Sequence, residues 1–231
     1  MKRFFQYFNY REWILLLLSY MAIVASFCIA PIFQADRSIF SVLTSMIGIL
    51  GVILISKGDV VSHYVYIVFS IFYSLMSIAT HYYGEAIIYL CVMIPLHISS
   101  IVSWKKNLSD TPREVVVQQT NWKKSALIAI SFALLSIPFY FLLQHLSTDN
   151  VVISTLSLTT SCFAGYLMFK RSRFFSAVFA ADDIFLLLLW GIKIYMGEYQ
   201  FIPTLINVVV LTINDTYSFW SWSKRYLKQK K

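Results

Sequence analysis

Two adjacent acidic residues, Asp182 and Asp183, lie inside a long apolar segment, where an ionised side chain needs a compensating role. Asp183 is nine residues from Phe174, where the segment begins, which is about 14 Å along a helix and near the middle of a bilayer. Adjacent helical residues differ by about 100° in direction, so we do not expect both carboxylates to face one cavity equally. Asp183 shares a helical stripe with Phe179 and Trp190, which predicts a carboxylate between aromatic walls. The alternative is a hydrogen-bonded carboxyl group that packs helices together.

The last apolar segment carries a second set of polar residues. Thr204, Asn207, Asn214 and Ser218 are spaced by three, seven and four residues, which predicts one polar helical face directed at the protein interior or a water path. Asp215 follows Asn214 directly. Aromatic residues come next, and they fit either a ligand site or an interfacial belt: Tyr217, Phe219, Trp220 and Trp222. We include Asn207, Asn214, Asp215 and Tyr217 among the candidate substrate-binding residues.

A histidine and a proline interrupt another apolar segment. Pro95 removes a backbone donor and frees a carbonyl group of its helix. His97 is a candidate ligand contact or proton carrier, and the alternative is a hydrogen-bonded structural histidine. Asp182, Asp183, Trp190, Phe179 and His97 complete the candidate site.

No motif in the chain predicts catalysis, a cofactor or a metal. The sequence has no phosphate-binding lysine loop, no nucleophile elbow and no zinc-protease helix motif. Cys28, Cys91 and Cys162 lie singly in apolar segments, so they predict neither a disulfide framework nor a metal site. We therefore expect a protein that is not an enzyme and holds no cofactor.

The composition predicts an all-α membrane protein. Hydrophobic residues make up 58% of the chain and charged residues only 13%, about half the usual share in soluble domains. Apolar segments long enough to cross a bilayer predict eight transmembrane helices. Their bounds are 13–33, 38–56, 60–80, 86–103, 125–144, 151–169, 174–195 and 201–219. These segments leave no room for a separate soluble domain.

The lysines and arginines indicate how the helices are oriented. If the N-terminus is cytoplasmic, 17 of the 19 fall in cytoplasmic segments, and only Arg37 and Lys193 fall outside. The positive-inside rule therefore predicts that both termini are cytoplasmic. It also explains the net charge of +8 without nucleic-acid binding.

Short matches reveal an internal repeat. Residues 55–57 match 168–170, and residues 83–85 match 196–198, both at an offset of 113. Residues 103–106 match 221–224 at an offset of 118. The repeated units are the three helices within 38–103 and the three within 151–219, linked by the helix 125–144. A single helix between the two units gives both the same orientation across the membrane, as in the SWEET transporters. We therefore predict a SWEET-like parallel 3+1+3 core plus one N-terminal helix, 13–33, in a single transporter domain.

Two stretches resemble a known family. Residues 170–173 with 180–190, and the ending 213–222, are similar to the bacterial nicotinamide riboside transporters, the PnuC family. The likeness covers roughly residues 38–225 and is most specific in the last two helices. Family members often have a tryptophan-rich stretch ending in asparagine on the seventh helix, where this chain has Phe175, Val178 and Asp182.

The resemblance implies facilitated import of nicotinamide riboside or a similar vitamin precursor, trapped by phosphorylation in the cytoplasm. It also implies a homotrimer in the bacterial cell membrane. Other substrates stay open, namely another vitamin such as thiamine or riboflavin, or a deoxynucleoside. Proton-coupled transport through Asp182, Asp183 and His97 stays open too. The rival from another class is a membrane scaffold whose polar residues bind partner helices.

Overall fold

A computed structural model describes residues 7–33, 39–79, 83–109, 114–148, 150–199 and 202–229. Within these ranges the chain is all-helical, with eight helices and no sheet strand. They are α1 (Tyr10–Ile29, followed by the 3₁₀ turn Ala30–Phe33), α2 (Ile39–Lys57), α3 (Val61–Ala79), α4 (Tyr83–Ile88, Tyr89–Met93 and Ile94–Lys105), α5 (Trp122–His145), α6 (Val151–Phe169), α7 (Phe175–Tyr195) and α8 (Ile202–Gln229).

The predicted segments agree with these helices within a few residues, except at the end of α8. Ser38, Thr80 and Phe201, where predicted segments begin or end, lie outside the described residues. The segment predicted to end at Phe219 continues as a helix for ten more residues, to Gln229. The extension is rich in lysine and arginine, so a prediction based on apolar length stops too early, although these residues favour helix.

Six helices are long and apolar enough to cross a membrane. Their apolar stretches are Tyr10–Ile32, Ile39–Lys57, Ala86–Lys105, Trp122–His145, Val151–Phe169 and Phe175–Tyr195. Helix α3 has a shorter apolar stretch, Val61–Met76. Helix α8 is as long as the others but buries the polar residues Asn214, Asp215 and Ser218.

Helix α4 continues past Pro95 instead of ending there. The turn before it, Tyr89–Met93, is π-helical, and the Ile94 amide donates to the Tyr89 carbonyl. Because proline has no amide hydrogen, a widened turn is a common way to accommodate it within a helix. The interruption of helical hydrogen bonding that we predicted at Pro95 therefore appears as a π-helical turn just before it.

Two tryptophans make crossed contacts, one from α4 to α6 and the other from α8 to α2. The Trp104 indole at the end of α4 donates to the Met168 carbonyl at the end of α6, at 3.0 Å. The Trp222 indole on α8 donates to the Ile55 carbonyl at the end of α2, at 2.8 Å. Both side chains are fully buried, and their rings lie 5.4 Å apart. We call this side of the bundle the tryptophan end.

The turns that follow α2 and α6 have the same hydrogen-bond pattern. The Gly58 and Arg171 amides donate to the carbonyls of Ile55 and Met168, respectively. Gly58 has a φ of 72° and Arg171 a φ of 56°, so both turns pass through the left-handed region. Each residue of one turn is 113 positions from its equivalent in the other.

An extended segment, residues 114–118, connects both turns, and we call it the strap. The Val115 amide donates to the Gly58 carbonyl, and the Gln118 amide donates to the Arg171 carbonyl, each at 3.0 Å. The Val117 amide donates to the Gln229 side chain at the end of α8. The strap therefore fixes three chain segments relative to one another at the tryptophan end.

Helix α1 is attached at the same end by a buried charge network. Glu12 is 3% exposed and forms a salt bridge of 3.5 Å with Lys57, the last residue of α2. The Tyr7 hydroxyl donates to the Asp59 carboxylate. Arg225 on α8 donates to the Ser56 carbonyl at 3.3 Å. The Arg225 contact satisfies a carbonyl group at the end of α2 that has no partner within the helix, while the other two contacts join side chains.

Replacing Trp222 by phenylalanine tests the crossed indole contacts. Trp222→Phe removes one of the two donors to the buried Ile55 carbonyl and leaves the Gly58 amide, which costs about 0.5–1.5 kcal/mol of the free energy of unfolding. We expect the thermal unfolding midpoint in detergent to fall by about 1–6 °C. Trp220→Phe is the matched control, because Trp220 is 42% exposed. Equal midpoints for the two variants would contradict the assigned role of the Trp222 indole.

Candidate functional site

Buried polar groups from four helices meet about one-third of the way into the bundle from the tryptophan end. The rings of Phe175 and Trp222 lie 4.9 Å apart, which fixes α7 and α8 at a common level. Asp183 is eight residues beyond Phe175, and Asp215 is seven residues before Trp222. Both carboxylates are therefore about 10–12 Å from this level, on neighbouring helices.

Helices α3 and α4 supply an aromatic cluster at the same depth. The rings of Tyr66 and His97 are stacked, with centroids 5.0 Å apart and planes 11° apart. The Nδ1 atoms of His63 and His97 lie 3.1 Å apart, so one ring donates to the other. His63 also packs edge-on against Trp104, at 4.2 Å. The crossed tryptophans therefore hold His63 in place, and His63 in turn orients His97.

The two carboxylates face this aromatic cluster. Asp183 and Asp215 are 5% and 9% exposed, and their charges interact with each other and with the Tyr66 hydroxyl. The Thr212 hydroxyl of α8 lies near Asp183 and donates to the Val208 carbonyl at 2.9 Å. Within the described part of the chain, neither carboxylate forms an ion pair. Two buried carboxylates without a cation are costly to ionise, so the site favours a bound cation or proton.

Several buried polar atoms around this site have no hydrogen-bond partner among the described residues. They include His63 Nε2, Ser70 Oγ, Ser100 Oγ, Ser176 Oγ, Asp183 Oδ2 and Ser218 Oγ. Buried polar groups in proteins are usually hydrogen-bonded. These atoms are therefore available to a polar ligand between the two sets of helices.

Asp182 lies on a different face of α7 from Asp183. Its carboxylate accepts a hydrogen bond from Ser161 on α6, and Ser157 of the same helix is a second partner. The structure thus separates the adjacent aspartates, with Asp182 at the α6–α7 contact.

The other candidate residues are distributed along α7 and α8. Asn214 donates to Ser19 of α1 at 3.0 Å, so its amide lies towards α1. The Tyr217 hydroxyl accepts from Asn9 and also lies against the beginning of α1. Trp190 and Asn207 are half-buried and lie two or more turns beyond the carboxylates, farther from the tryptophan end.

Phe179 packs against the hydrophobic core beside Phe175, with ring centroids 6.4 Å apart. The structure therefore brings Asp183, Asp215 and His97 together, while the remaining candidates lie around them.

Sequence reasoning missed His63, Tyr66, Ser70, Ser100 and Ser176. The repeat offsets contained the signal, because 113 relates Ser70 to Asp183 and His63 to Ser176, and 118 relates His97 to Asp215 and Ser100 to Ser218. All eight side chains are buried. Mapping each polar residue of one unit onto the other would have identified all of the missed residues except Tyr66.

Gly51 on α2 allows Tyr66 to take its position. A Cβ atom at Gly51 would lie 2.9 Å from the Tyr66 ring, whereas one at Gly191 on α7 would meet nothing within 4 Å. Gly51→Ala should therefore lower the free energy of unfolding by about 1–3 kcal/mol through overpacking. The matched control, Gly191→Ala, should be neutral or stabilising. Thermal unfolding of both variants checks this, and equal effects would contradict the close packing of α2 against Tyr66.

Comparisons with known proteins agree on one family. The model of the family described as "Nicotinamide mononucleotide transporter" matches residues 38–224, which leaves α1 outside. A nicotinamide riboside transporter PnuC from Neisseria mucosa is 24% identical over 217 residues, covering 92% of this chain and 80% of that protein. The Haemophilus influenzae protein of the same name is 23% identical over 206 residues, covering 87% and 88%.

A solved structure has the same fold. The crystal structure of a vitamin B3 transporter, PnuC, superposes with a TM-score of 0.80 at 21% identity, covering 96% of this chain and 94% of that one. The family match spans most of the chain and all of the helices that form the site. This chain therefore belongs to the nicotinamide mononucleotide transporter family, whose members are membrane transporters and not enzymes.

Proposed function

We propose that the protein is a facilitative transporter that imports nicotinamide riboside or a closely similar nucleoside-like vitamin precursor. The observation that carries this proposal is the pair of buried carboxylates, Asp183 and Asp215, opposite the stacked rings of Tyr66 and His97. Nicotinamide riboside has a positively charged, planar pyridinium ring. Such a ring gains from nearby negative charge and from aromatic stacking.

Each part of the site has a role in this proposal. The carboxylates of Asp183 and Asp215 neutralise the pyridinium charge, and the Tyr66–His97 pair stacks against the ring. The buried hydroxyls of Ser100 and Ser218 bind the hydroxyl groups of the ribosyl moiety. Asp182 and Phe179 support α7 from the side, through Ser161 and the core.

The remaining candidates act along the path of the substrate. Asn207 and Trp190 lie farther from the tryptophan end than the carboxylates, where they line the route towards the opposite side of the membrane. The side-chain oxygen of Asn207, Oδ1, is buried and has no hydrogen-bond partner among the described residues, so it is free to accept a hydrogen bond from the substrate. Asn214 and Tyr217 couple α8 to α1.

The core is proposed to be a SWEET-like parallel repeat of eight crossings, 3+1+3 plus α1. Three observations support this arrangement. The first helix of one unit packs on the last helix of the other, as α2 on α8 and α6 on α4. Trp104 and Trp222 make equivalent contacts with opposite units. The turns after α2 and α6 share one hydrogen-bond pattern.

The tryptophan end is proposed to be cytoplasmic, with both termini on that side of a bacterial cell membrane. Every lysine and arginine in the described ranges, except Lys193, lies at this end, as the positive-inside rule requires.

Import is proposed to be uncoupled, with cytoplasmic phosphorylation trapping the substrate. A homotrimer is proposed from the family resemblance, and the exposed apolar face of α5 is free to contact lipid or neighbouring protomers.

Removing either carboxylate charge tests the site. Asp183→Asn and Asp215→Asn keep the side-chain shape, and each should weaken nicotinamide riboside uptake into proteoliposomes roughly tenfold or more. Asp182→Asn is the matched control, because its amide still hydrogen-bonds the serines of α6, and uptake should stay near the wild-type rate. Wild-type uptake by both Asp183→Asn and Asp215→Asn would overturn the site assignment.

A substrate without the positive charge tests the electrostatic argument. Reduced nicotinamide riboside has nearly the same size, but its dihydropyridine ring is neutral. Wild-type protein should bind it roughly tenfold or more weakly than the oxidised form, and Asp183→Asn should discriminate less between the two. Competition against labelled nicotinamide riboside measures both. Equal competition by the two forms in wild-type protein would contradict a site selected for charge.

Two alternatives rest on the same carboxylates. Thiamine also carries a positively charged aromatic ring, so the charge alone fits it. Stronger competition by thiamine than by nicotinamide riboside would favour this substrate.

The His63–His97 contact beside Asp183 and Asp215 is also suited to binding a proton. Uptake that stops when a pH gradient is collapsed would favour proton-coupled transport.

A further inference from the structure

A pocket lies at the tryptophan end, apart from the carboxylate site. It has a volume of about 230 Å³. Its lining residues come from the end of the strap and the region after it, from the beginnings of α5 and α7 and from the end of α8: Gln118, Gln119, Thr120, Trp122, Arg173, Phe174 and Tyr226. Among the described residues that line the pocket, Arg173 is cationic and none is acidic. The proposed substrate path does not use it.

Arg173 is held so that its donors remain available. Its guanidinium carbon lies 4.7 Å from the centroids of both the Phe174 and Tyr226 rings. Cation–π contacts do not occupy the guanidinium N–H groups, whose planar fork can bind two phosphate oxygens at once. The two aromatic contacts therefore hold Arg173 without using its hydrogen bonds.

The surrounding groups add donors and a favourable electrostatic field. The Gln118 side-chain oxygen accepts from Arg171 at 3.3 Å, which leaves the Gln118 amide hydrogens to donate. Helix α5 begins at Trp122, and α7 begins next to Phe174, so the positive ends of two helix dipoles lie at the pocket. The rings of Trp122 and Phe174 are 4.8 Å apart and form an apolar wall.

We infer that this pocket binds a phosphate-bearing anion at the proposed cytoplasmic surface, with Arg173 as the principal ligand-binding residue. The pocket is smaller than the roughly 300–1,000 Å³ of sites for drug-sized ligands. It therefore accommodates the phosphate end of a molecule and not a whole dinucleotide. Two sources present this chemistry, the headgroup of an anionic phospholipid and a soluble phosphate monoester.

Binding at this pocket would also act on the strap. The main-chain amide of Gln118 donates to the Arg171 carbonyl, and the hydroxyl groups of Thr120 and Ser172 form a hydrogen bond of 2.6 Å. Both contacts join the strap region to the turn between α6 and α7. An anion bound to Gln118 and Arg173 therefore holds the strap against this turn and stabilises the tryptophan end.

Thermal unfolding of the purified full-length protein in lipid-free detergent tests the inference. One arm adds inorganic phosphate or adenosine monophosphate, with potassium chloride at matched ionic strength as the blank. The other arm adds short-chain phosphatidylglycerol, with phosphatidylcholine of the same chain length as the blank. A rise in the midpoint in either arm, beyond its blank, supports the site and identifies the source.

Three variants connect the effect to the pocket. Arg173→Gln should weaken the apparent affinity for the effective anion roughly tenfold or more. Gln118→Glu should abolish the stabilisation by placing a carboxylate in the pocket, while it still accepts from Arg171 and preserves the fold. Lys106→Gln removes an equal charge from an exposed turn at the same end and should leave the response unchanged.

Two results would overturn the inference. One is the absence of stabilisation by any of the probes in wild-type protein. The other is an equal response of wild-type protein, Arg173→Gln and Gln118→Glu, which would assign the effect to a different surface. Because Gln118→Glu keeps the Arg171 contact, it remains informative even if Arg173→Gln fails to fold. The nicotinamide riboside uptake of all three variants is measured separately, so failure of this site leaves the transport proposal intact.

Discussion

The site depends on satisfying backbone carbonyl groups at the ends of α2 and α6. The last turn of a helix leaves carbonyls without partners, and burial makes that expensive. The amides of Gly58 and Arg171 donate to the Ile55 and Met168 carbonyls, and Trp222 and Trp104 supply a second donor to each, with rings that fill the space between the helices. His63 packs on Trp104 and contacts His97. The tryptophan that bonds the backbone of α6 therefore also orients the aromatic side of the candidate site.

The tryptophan end is held together by several kinds of contact. The crossed indoles, the strap and the Glu12–Lys57 salt bridge all lie there. Glu12 and Asp59 are buried acidic groups, and their partners Lys57 and Tyr7 compensate the cost of burying them. These contacts fix the depth of the carboxylates on α7 and α8 relative to the tryptophan end.

Much of the fold was predictable because apolar length and charge placement are strong signals in membrane proteins. The helices agree within a few residues apart from the end of α8, where charged residues hide a continuing helix. Asp183, Asp215 and His97 were predictable as intramembrane polar residues. The separation of Asp182 from Asp183 followed in principle from the 100° step, but Ser161 as its partner requires the packing of α6 on α7. Tyr66 carries no distinguishing signal, since its importance comes from Gly51 on a different helix.

The residues at equivalent positions of the two units are unlike one another, with serine opposite aspartate at 70 and 183 and histidine opposite aspartate at 97 and 215. A cleft made from two identical halves would accept an asymmetric molecule in two poses of equal energy. Unlike halves remove this degeneracy, because the acidic groups belong to α7 and α8 and the rings to α3 and α4. For the repeat and the site proposed above, this difference between the two units favours a single orientation of the bound ligand.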